Sequence, residues 1–420
     1  LIKVYNFFCK GLQLKAPAVW KRGGFMKKTV KDVDLKDKRV LVRVDFNVPL
    51  KEGKITDDRR IRASLPTLEY IREKGGRLIV MSHLGRPKGE IMEQYRMRPV
   101  AIRLSELMGI EVKYCEDLNW DIVKKQAFNL EDGEVLLLEN LRFHKGETKN
   151  DPLMVENLLS LGEVYVNDAF GTCHRAHAST AGIAATKKIP SVAGFLVGKE
   201  LEMLGKILTN PEHPVAAILG GAKVSDKIGV IENLIQKVDA LLIGGGMSYT
   251  FLKSMGHEIG TSLLDTESLP LAGQLMAHAK EKGVKFLLPE DIVVAKEIKE
   301  GTEHKIVNIT EIPSDWMGVD IGPKTIEKFG TIIKESKTIF WNGPLGVFEI
   351  DAFSKGTEAV ATFIAHNSGA ISLIGGGDSA AAAEKLGFAD KMTHISTGGG
   401  ASLEFMEGKV LPGIEALDDK

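Results

Sequence analysis

Short runs rich in β-branched residues and leucine punctuate the chain, each closing on glycine or polar residues and followed by a longer stretch with helically spaced apolar positions. In the first half they are RVLVRVDFN (39–47), RLIVMSHLG (77–85), EVLLLENLR (134–142) and EVYVNDAFG (163–171). The second half has VAAILGG (215–221), ALLIGGG (240–246), VKFLLPED (284–291), TIFWNGP (338–344), AISLIGGGD (370–378) and the shorter HISTGGG (394–400). Strands buried on one face alternate apolar with polar, but these runs are nearly continuous. They predict parallel sheets covered by helices on both faces. Ligands of such sheets bind beyond the carboxyl ends of the strands, so the loops after these runs are where chemistry is to be sought.

Between the two groups lies VAGFLVGKELEMLGKILTNPEHP, whose Val192, Phe195, Leu196, Leu201, Leu204 and Leu208 fall near helical spacing before Asn210 and Pro211 stop it. A connecting helix over 191–209 is predicted, between units at 26–190 and 210–403. At 420 residues the chain exceeds what one core usually supports, which also points to two domains. A closed barrel of βα units is the alternative. The strand-end loops differ sharply between the halves, and that contrast favours two sheets.

In the first half the strand ends are cationic. RVDFN brings Arg43, Asp45 and Asn47; SHLGRPKG brings His83 and Arg86; ENLRFHKGE brings Arg142 and His144; GTCHRAHAS brings His174, Arg175 and His177. Arg60, in DDRRIRAS, opens a helix after a turn. Arginine's planar fork binds carboxylate or phosphate through two donors, so the set suits a small polyanion. One such arginine is more often a surface ion pair, but convergence from several strand ends outweighs that reading. HRAH spaces two histidines for zinc, yet no cysteine or carboxylate spacing supports it.

In the second half the strand ends carry glycine: LGGAKVSDK, IGGGMSYTF, GVDIGP, WNGPLGVFE, IGGGDSAAA and STGGGAS. Glycine lets backbone approach a ligand closely, and helix amino ends offer free N–H groups to phosphate. One glycine triplet is explained equally well by a tight turn; several at the strand ends of one half point to a nucleotide. No GxxxxGK[ST] loop is present. Lys223 and Lys227 stand four apart and, on a helix starting near Val224, would share a face at its anion-attracting end. Asp378 follows a glycine triplet and suits magnesium, or a helix N-cap before SAAAAEK, or both.

A polyanion site facing a nucleotide site implies phosphoryl transfer between them, with closure to exclude water. No HRD or DFG motif appears, and no aspartate base is offered to a hydroxyl. A carboxylate acceptor, ionised above a pKa of about 4, needs none.

Charge and composition narrow the partners. Lys plus Arg total 55 against 56 Asp plus Glu, a formal charge of -1, so no global basic field exists for nucleic acid or an anionic membrane. The 44% hydrophobic content is in the globular range, and no apolar run approaches the roughly 18 to 20 residues that span a bilayer. Cys9, Cys115 and Cys173 have no pairing or metal spacing and fit a reducing compartment, hence a soluble cytoplasmic protein. Residues 1–25 carry Lys3, Lys10, Lys15, Lys21 and Arg22 without an acid, and Met26 opens MKKTVKDVD. They read as a disordered or non-native extension, with an organellar targeting peptide as the alternative.

RVDFNVP, SHLGRP, ENLRFH, DAFGTCHRAH, GGAKVSDK, WMGVDIGP, WNGPLGVFE, GGGDSA and STGGGASLE together resemble the phosphoglycerate kinase family, from about residue 27 to the carboxyl end. The resemblance implies a monomeric glycolytic and gluconeogenic enzyme that moves a phosphoryl group between 1,3-bisphosphoglycerate and ADP, giving 3-phosphoglycerate and ATP, with magnesium. It implies two Rossmann-like α/β domains with parallel sheets flanked by helices, a cleft between them that closes by hinge-bending, and a tail, 404–420, packed back on the first domain. Asp45, Asn47, Arg60, His83, Arg86, Arg142 and Arg175 would hold phosphoglycerate. Arg60, Lys223, Lys227, Gly398 and Gly399 would serve the transferring group. Gly221, Ala222, Lys227, Gly245, Gly318, Asn342, Pro344, Glu349, Gly376, Gly377, Asp378 and Ser379 would line the nucleotide site, with magnesium on Asp378. Ser379 stands where many relatives have threonine, which keeps the hydroxyl. A nucleotide-sensing scaffold without turnover, or a kinase of another small carboxylate, are the competing readings. The joint presence of Arg60, Lys223, Lys227 and Asp378 argues against the scaffold.

Overall fold

The structure, a computed structural model, describes residues 27–420. The extension at 1–25, Met26 and Cys9 lie outside the described residues. Two six-stranded parallel sheets form the frame. In the first the strands lie in the order Val112–Cys115, Val135–Leu138, Arg77–Met81, Arg39–Val44, Val164–Asp168, Ser191–Ala193. In the second the order is Lys285–Leu287, Ala240–Ile243, Val215–Leu219, Thr338–Asn342, Ile371–Gly375, His394–Ile395.

The second order, numbered along the chain, is 3-2-1-4-5-6, that of a dinucleotide-binding sheet. Winding reverses between Arg39–Val44 and Val164–Asp168 in the first sheet and between Val215–Leu219 and Thr338–Asn342 in the second. Helices on each side cannot cover the strand ends at such a reversal, which leaves a crevice there. The central strands Val215–Leu219 and Thr338–Asn342 are buried throughout, as their unbroken apolar runs require. The fold is therefore α/β with helix-flanked parallel sheets.

Every run singled out from the sequence forms a strand, and the structure adds elements the pattern does not reveal. Val112–Cys115 (VKYC) and Ser191–Ala193 (SVA) are edge strands too short to carry a period. Asp291–Ala295, His304–Asn308 and Met317–Ile321 form a small antiparallel sheet, and Leu50–Lys51 pairs with Lys54–Ile55 in a hairpin.

The connecting helix runs Phe195–Thr209, not from residue 191. Val192 belongs to the sixth strand of the first sheet, pairing with Val166. The helix starts where it does because Asp168, from the neighbouring strand, accepts the Leu196 N–H at 2.9 Å, satisfying a donor that a helix amino end leaves free. One apolar cluster runs from Leu41 and Tyr165 of the first sheet through Leu201, Leu204 and Leu208 of this helix to Ala217 and Leu219 of the second.

The chain end returns to the first sheet. Asp418 N–H donates to the Ser191 carbonyl at 2.8 Å, Lys28 N–H to the Asp418 carbonyl at 2.9 Å, and Gly413 N–H to the Cys173 carbonyl at 2.9 Å. The buried Lys27 ammonium donates to the Leu417 carbonyl at 2.9 Å and to Asp419 at 2.7 Å. Among the described residues no helix is long and apolar enough to cross a membrane.

Candidate active site

Asp45 follows the central strand of the first sheet at its winding reversal. Arg60, on the first turn of helix Arg59–Glu73, donates from Nη1 to Asp45 Oδ2 at 2.6 Å. His83 Nδ1 lies 3.8 Å from Asp45 Oδ1. Asn47 Oδ1 accepts the Gly85 N–H at 2.8 Å, and Arg142 Nη1 donates to the Gly85 carbonyl at 2.8 Å. Asn140 Nδ2 donates to the carbonyls of Leu84 (2.7 Å) and Tyr95 (2.9 Å), so the loops after two adjacent strands form one body. Arg175 donates to His174 Nε2 at 3.0 Å. Arg86 is exposed and makes no bond to the others.

This edge is short of negative charge. Burial, then Arg43 and Arg175, lowers Arg142 to about 10, and its Nε is buried without a partner. Burial with Arg142 and Arg43 beside it pushes His177 down to about 4, and His83 falls well below the usual histidine range for the same reasons. Both imidazoles are neutral at pH 7. Crowded cations and an unmet buried N–H are relieved together by an anion carrying several acceptor oxygens.

The glycine-lined edge is built around Asn342. Its Nδ2 donates to the Gly375 carbonyl at 2.8 Å, and its own carbonyl accepts the Gly220 N–H at 3.0 Å. Lys227 Nζ donates to that carbonyl at 3.0 Å and also to Asn342 Oδ1. Gly221 N–H reaches the Pro344 carbonyl and Gly245 N–H the Leu345 carbonyl, each at 3.0 Å, and Gly343 N–H reaches Ser379 Oγ at 2.6 Å. Ala222 is exposed beside Gly221. Gly318 has no alternative, since a Cβ there would sit 2.0 Å from Tyr249 Oη.

The two lysines do not share a helix face. Residues 224–227 form a turn and the helix is Ile228–Leu234, so Lys227 occupies the N-cap position, buried, while Lys223 is exposed. The Lys227 N–H bonds to the Val224 carbonyl at 2.9 Å, closing a turn, and the helix ladder opens only with the Ile231 N–H on the Lys227 carbonyl, also at 2.9 Å. Burial lowers Lys227 to about 8, with Asp378 and Asp226 opposing the shift. Asp378 is not the N-cap either: Gly376, at φ 93°, takes that place and Asp378 lies in the first turn of Gly377–Lys385. Glu349 is exposed and not tied to the rest.

The edges meet at Gly398 and Gly399. A Cβ on Gly398 would fall 2.4 Å from the Phe170 ring and 3.2 Å from Gly171 Cα; one on Gly171 would fall 2.8 Å from Asp45 Oδ2; one on Gly399 would lie 4.0 Å from Gly377 N. The glycine loop thus touches the Asp45 side with one residue and faces the Gly377 helix start with the next. Glu200, fully buried on the connecting helix, fixes this loop by accepting the Thr397 N–H at 2.8 Å and bonding His394 Nε2 at 2.8 Å. Arg59 also reaches across the cleft to Glu384.

Glu200 was not legible beforehand, because on an amphipathic helix it reads as a solvated polar position. Tyr249, behind Gly318, was passed over within IGGGMSYTF, and Leu263, exposed and 3.0 Å from the Cβ position of Gly246, carries no motif. Arg43 was noted only as one more strand-end cation.

These features define a two-domain α/β protein with a cationic polyanion edge opposed to a glycine-lined edge. Residues 30–409 match the phosphoglycerate kinase family. The solved phosphoglycerate kinase of Coxiella burnetii is 43% identical over 93% of this chain and 98% of its own, with a TM-score of 0.86. That of Pyrococcus horikoshii is 34% identical over 93% and 98% respectively, with a TM-score of 0.77. The chain belongs to the phosphoglycerate kinase family and is a kinase.

Proposed function

We propose that the protein transfers a phosphoryl group reversibly between the acyl phosphate of 1,3-bisphosphoglycerate and ADP, giving 3-phosphoglycerate and ATP. The observation that carries this reading is the Gly171–Gly398–Gly399–Gly377 contact line, which joins the cationic edge to the glycine edge at one small gap. Asp45, Asn47, His83, Arg86, Arg142 and Arg175 bind phosphoglycerate, and Arg60 faces the carboxylate. Gly221, Ala222, Gly245, Gly318, Asn342, Pro344 and Glu349 line the nucleoside, with Gly376, Gly377 and Ser379 at its phosphates.

Charge on the migrating group is met by preorganised donors: Arg60 from one side, Lys223 and Lys227 from the other, and the Gly398 and Gly399 backbone between. No base is required, because the acceptor carboxylate is already ionised. The residues also fit magnesium. Asp378 is exposed at the first turn of a helix, and no hydrogen bond or ion pair with another described residue occupies its oxygens, the hard donor type that cation prefers. Bound there, magnesium would neutralise nucleotide phosphate charge. Closure of the two domains excludes water and brings Arg60 and Lys227 to the same group.

A coupled assay with 3-phosphoglycerate, ATP and magnesium tests the reading. Turnover that requires all three is expected; no turnover with 3-phosphoglycerate, but turnover with another small carboxylate, would replace the substrate.

A further inference from the structure

Arg43 is fully buried on strand Arg39–Val44, and among the described residues no carboxylate lies within ion-pair distance of it. Its nitrogens are nevertheless all directed. Nε donates to Ser179 Oγ at 2.8 Å, Nη1 donates to the Val44 carbonyl, and Nη2 lies 3.2 Å from His83 Nδ1. Ser179 Oγ, having accepted from Arg43, gives its own proton to Glu147 Oε1 at 2.6 Å, while Ser179 N–H donates to Glu147 Oε2 at 3.1 Å. Glu147 and Ser179 are both fully buried. The negative charge that offsets Arg43 therefore stands one hydroxyl away. A direct Arg–Glu pair would turn the fork toward Glu147; the intervening hydroxyl leaves Nη2 aimed at His83.

A guanidinium can only donate, so His83 Nδ1 must accept and the ring proton must sit on Nε2. We propose that Glu147 and Ser179 are positioning residues which, through Arg43, hold His83 as a neutral ring with Nε2–H available to the ligand of the cationic edge. The identity of that ligand as phosphoglycerate rests on the function proposed above; the relay itself does not. The charged and titratable groups around His83 are Arg43, Arg142, Arg60 and His177, with Asp45 Oδ1 at 3.8 Å. Burial and these cations outweigh the single carboxylate and keep the ring unprotonated. With Arg43 released, Nδ1 loses its donor and the neutral ring's proton is free to move from Nε2 to Nδ1, which faces Asp45 Oδ1.

The test uses the full chain with Ser179→Ala and Glu147→Gln. Alanine removes the acceptor for Arg43 Nε. The glutamine amide keeps the volume of Glu147 but removes the negative charge that offsets Arg43 and, with its oxygen held by the Ser179 N–H, turns a donor toward Ser179 Oγ, whose proton loses its acceptor. Histidine side-chain ¹⁵N spectra, with His83 assigned by its loss in His83→Gln, should show the parent ring as the unchanging Nε2–H tautomer between about pH 5.5 and 8.5. In either variant the ring should populate the other tautomer, with the proton on Nδ1. KM for 3-phosphoglycerate should rise roughly tenfold at pH 8, because a ring protonated on Nδ1 offers the ligand no donor at Nε2. KM for the nucleotide and kcat should stay within about twofold. The phosphate of the substrate titrates near pH 6 in parent and variant alike, so the ratio between them is read. Melting by circular dichroism accompanies both variants, and Glu147→Gln carries the test if Ser179→Ala is unfolded. A His83 spectrum unchanged in a folded variant overturns the relay. A changed spectrum with an unchanged KM for 3-phosphoglycerate upholds the relay and removes His83 from the phosphoglycerate site.

Discussion

Replacing Lys227 by methionine should abolish most activity without lowering stability. The lysine is buried, and burial brings its pKa from 10.5 to about 8, a shift of roughly 2.5. At about 1.4 kcal/mol for each pKa unit, the folded protein carries the charged form at neutral pH at a cost of about 3 kcal/mol. The sign follows from the depressed folded value. The contribution of Lys227 to stability is full only above 10.5 and is lost as pH falls through about 8, so at pH 7 the ammonium opposes folding. Methionine has similar length and no charge. It removes the donors to the Asn342 carbonyl and Oδ1, which costs about 1–3 kcal/mol for the acceptors left behind. The balance lies between about 0 and 2 kcal/mol in favour of methionine. Tm at pH 7 should therefore stay level or rise, and the advantage of the variant should shrink by pH 10 as the parent lysine discharges. On the proposed function Lys227 is a preorganised donor to the migrating group, and its loss should lower kcat by about 10²–10³. Calorimetry at the two pH values and steady-state kinetics decide it. A Tm several degrees below the parent, or a kcat within tenfold of it, refutes the reasoning.

On the proposed function Arg60 faces the reacting carboxylate, so Arg60→Ala should reduce kcat by about 100-fold or more with a smaller effect on KM, and Arg86→Ala should raise KM for 3-phosphoglycerate and largely keep kcat. Lysine at position 60 should rescue only in part, since a point charge cannot replace the fork; near-normal kcat in Arg60→Ala would remove it from the catalytic set. Glu200→Ala should lower both Tm and kcat, as it strips acceptors from Thr397 and His394 and loosens the glycine loop, whereas Glu200→Gln should be milder on both counts; equal kcat in parent and Glu200→Ala would sever the loop from catalysis. Small-angle scattering should show compaction only with phosphoglycerate and a nonhydrolysable nucleotide together, and an unchanged radius of gyration would exclude closure.

Much of the frame was readable because buried parallel strands need uninterrupted apolar runs, and TIFWN or VAAIL can serve little else. The placing of chemistry at their carboxyl ends was equally readable, since parallel winding leaves those ends open. Asp45, His83 and Arg142 could be chosen from strand-end position alone. The strand at 191–193 escaped because a short edge strand lacks a distinguishing period, and the small antiparallel sheet at 291–321 escaped because its buried central strand Asp291–Ala295 follows directly on the VKFLLPED run and its outer strands lie at edges. Val192 illustrates the limit: the same residue satisfies a helical stripe and a strand, and the choice is made by Val166 beside it and by Asp168 capping the helix that follows.

Residue types and their spacing determined by themselves which groups could reach a strand end, because those are properties of the local chain. Only the tertiary structure decided their state. Lys223 and Lys227 look equivalent in GGAKVSDK, yet one is solvated and the other is desolvated against Asn342, 115 residues away. Glu200 and Glu147 look like surface acids, yet each is enclosed and orients a loop or a ring at the site. Charge, tautomer and burial depend on neighbours brought from distant segments, and the electrostatic cost of enclosing a group is set by the assembled surroundings rather than by the residues on either side of it.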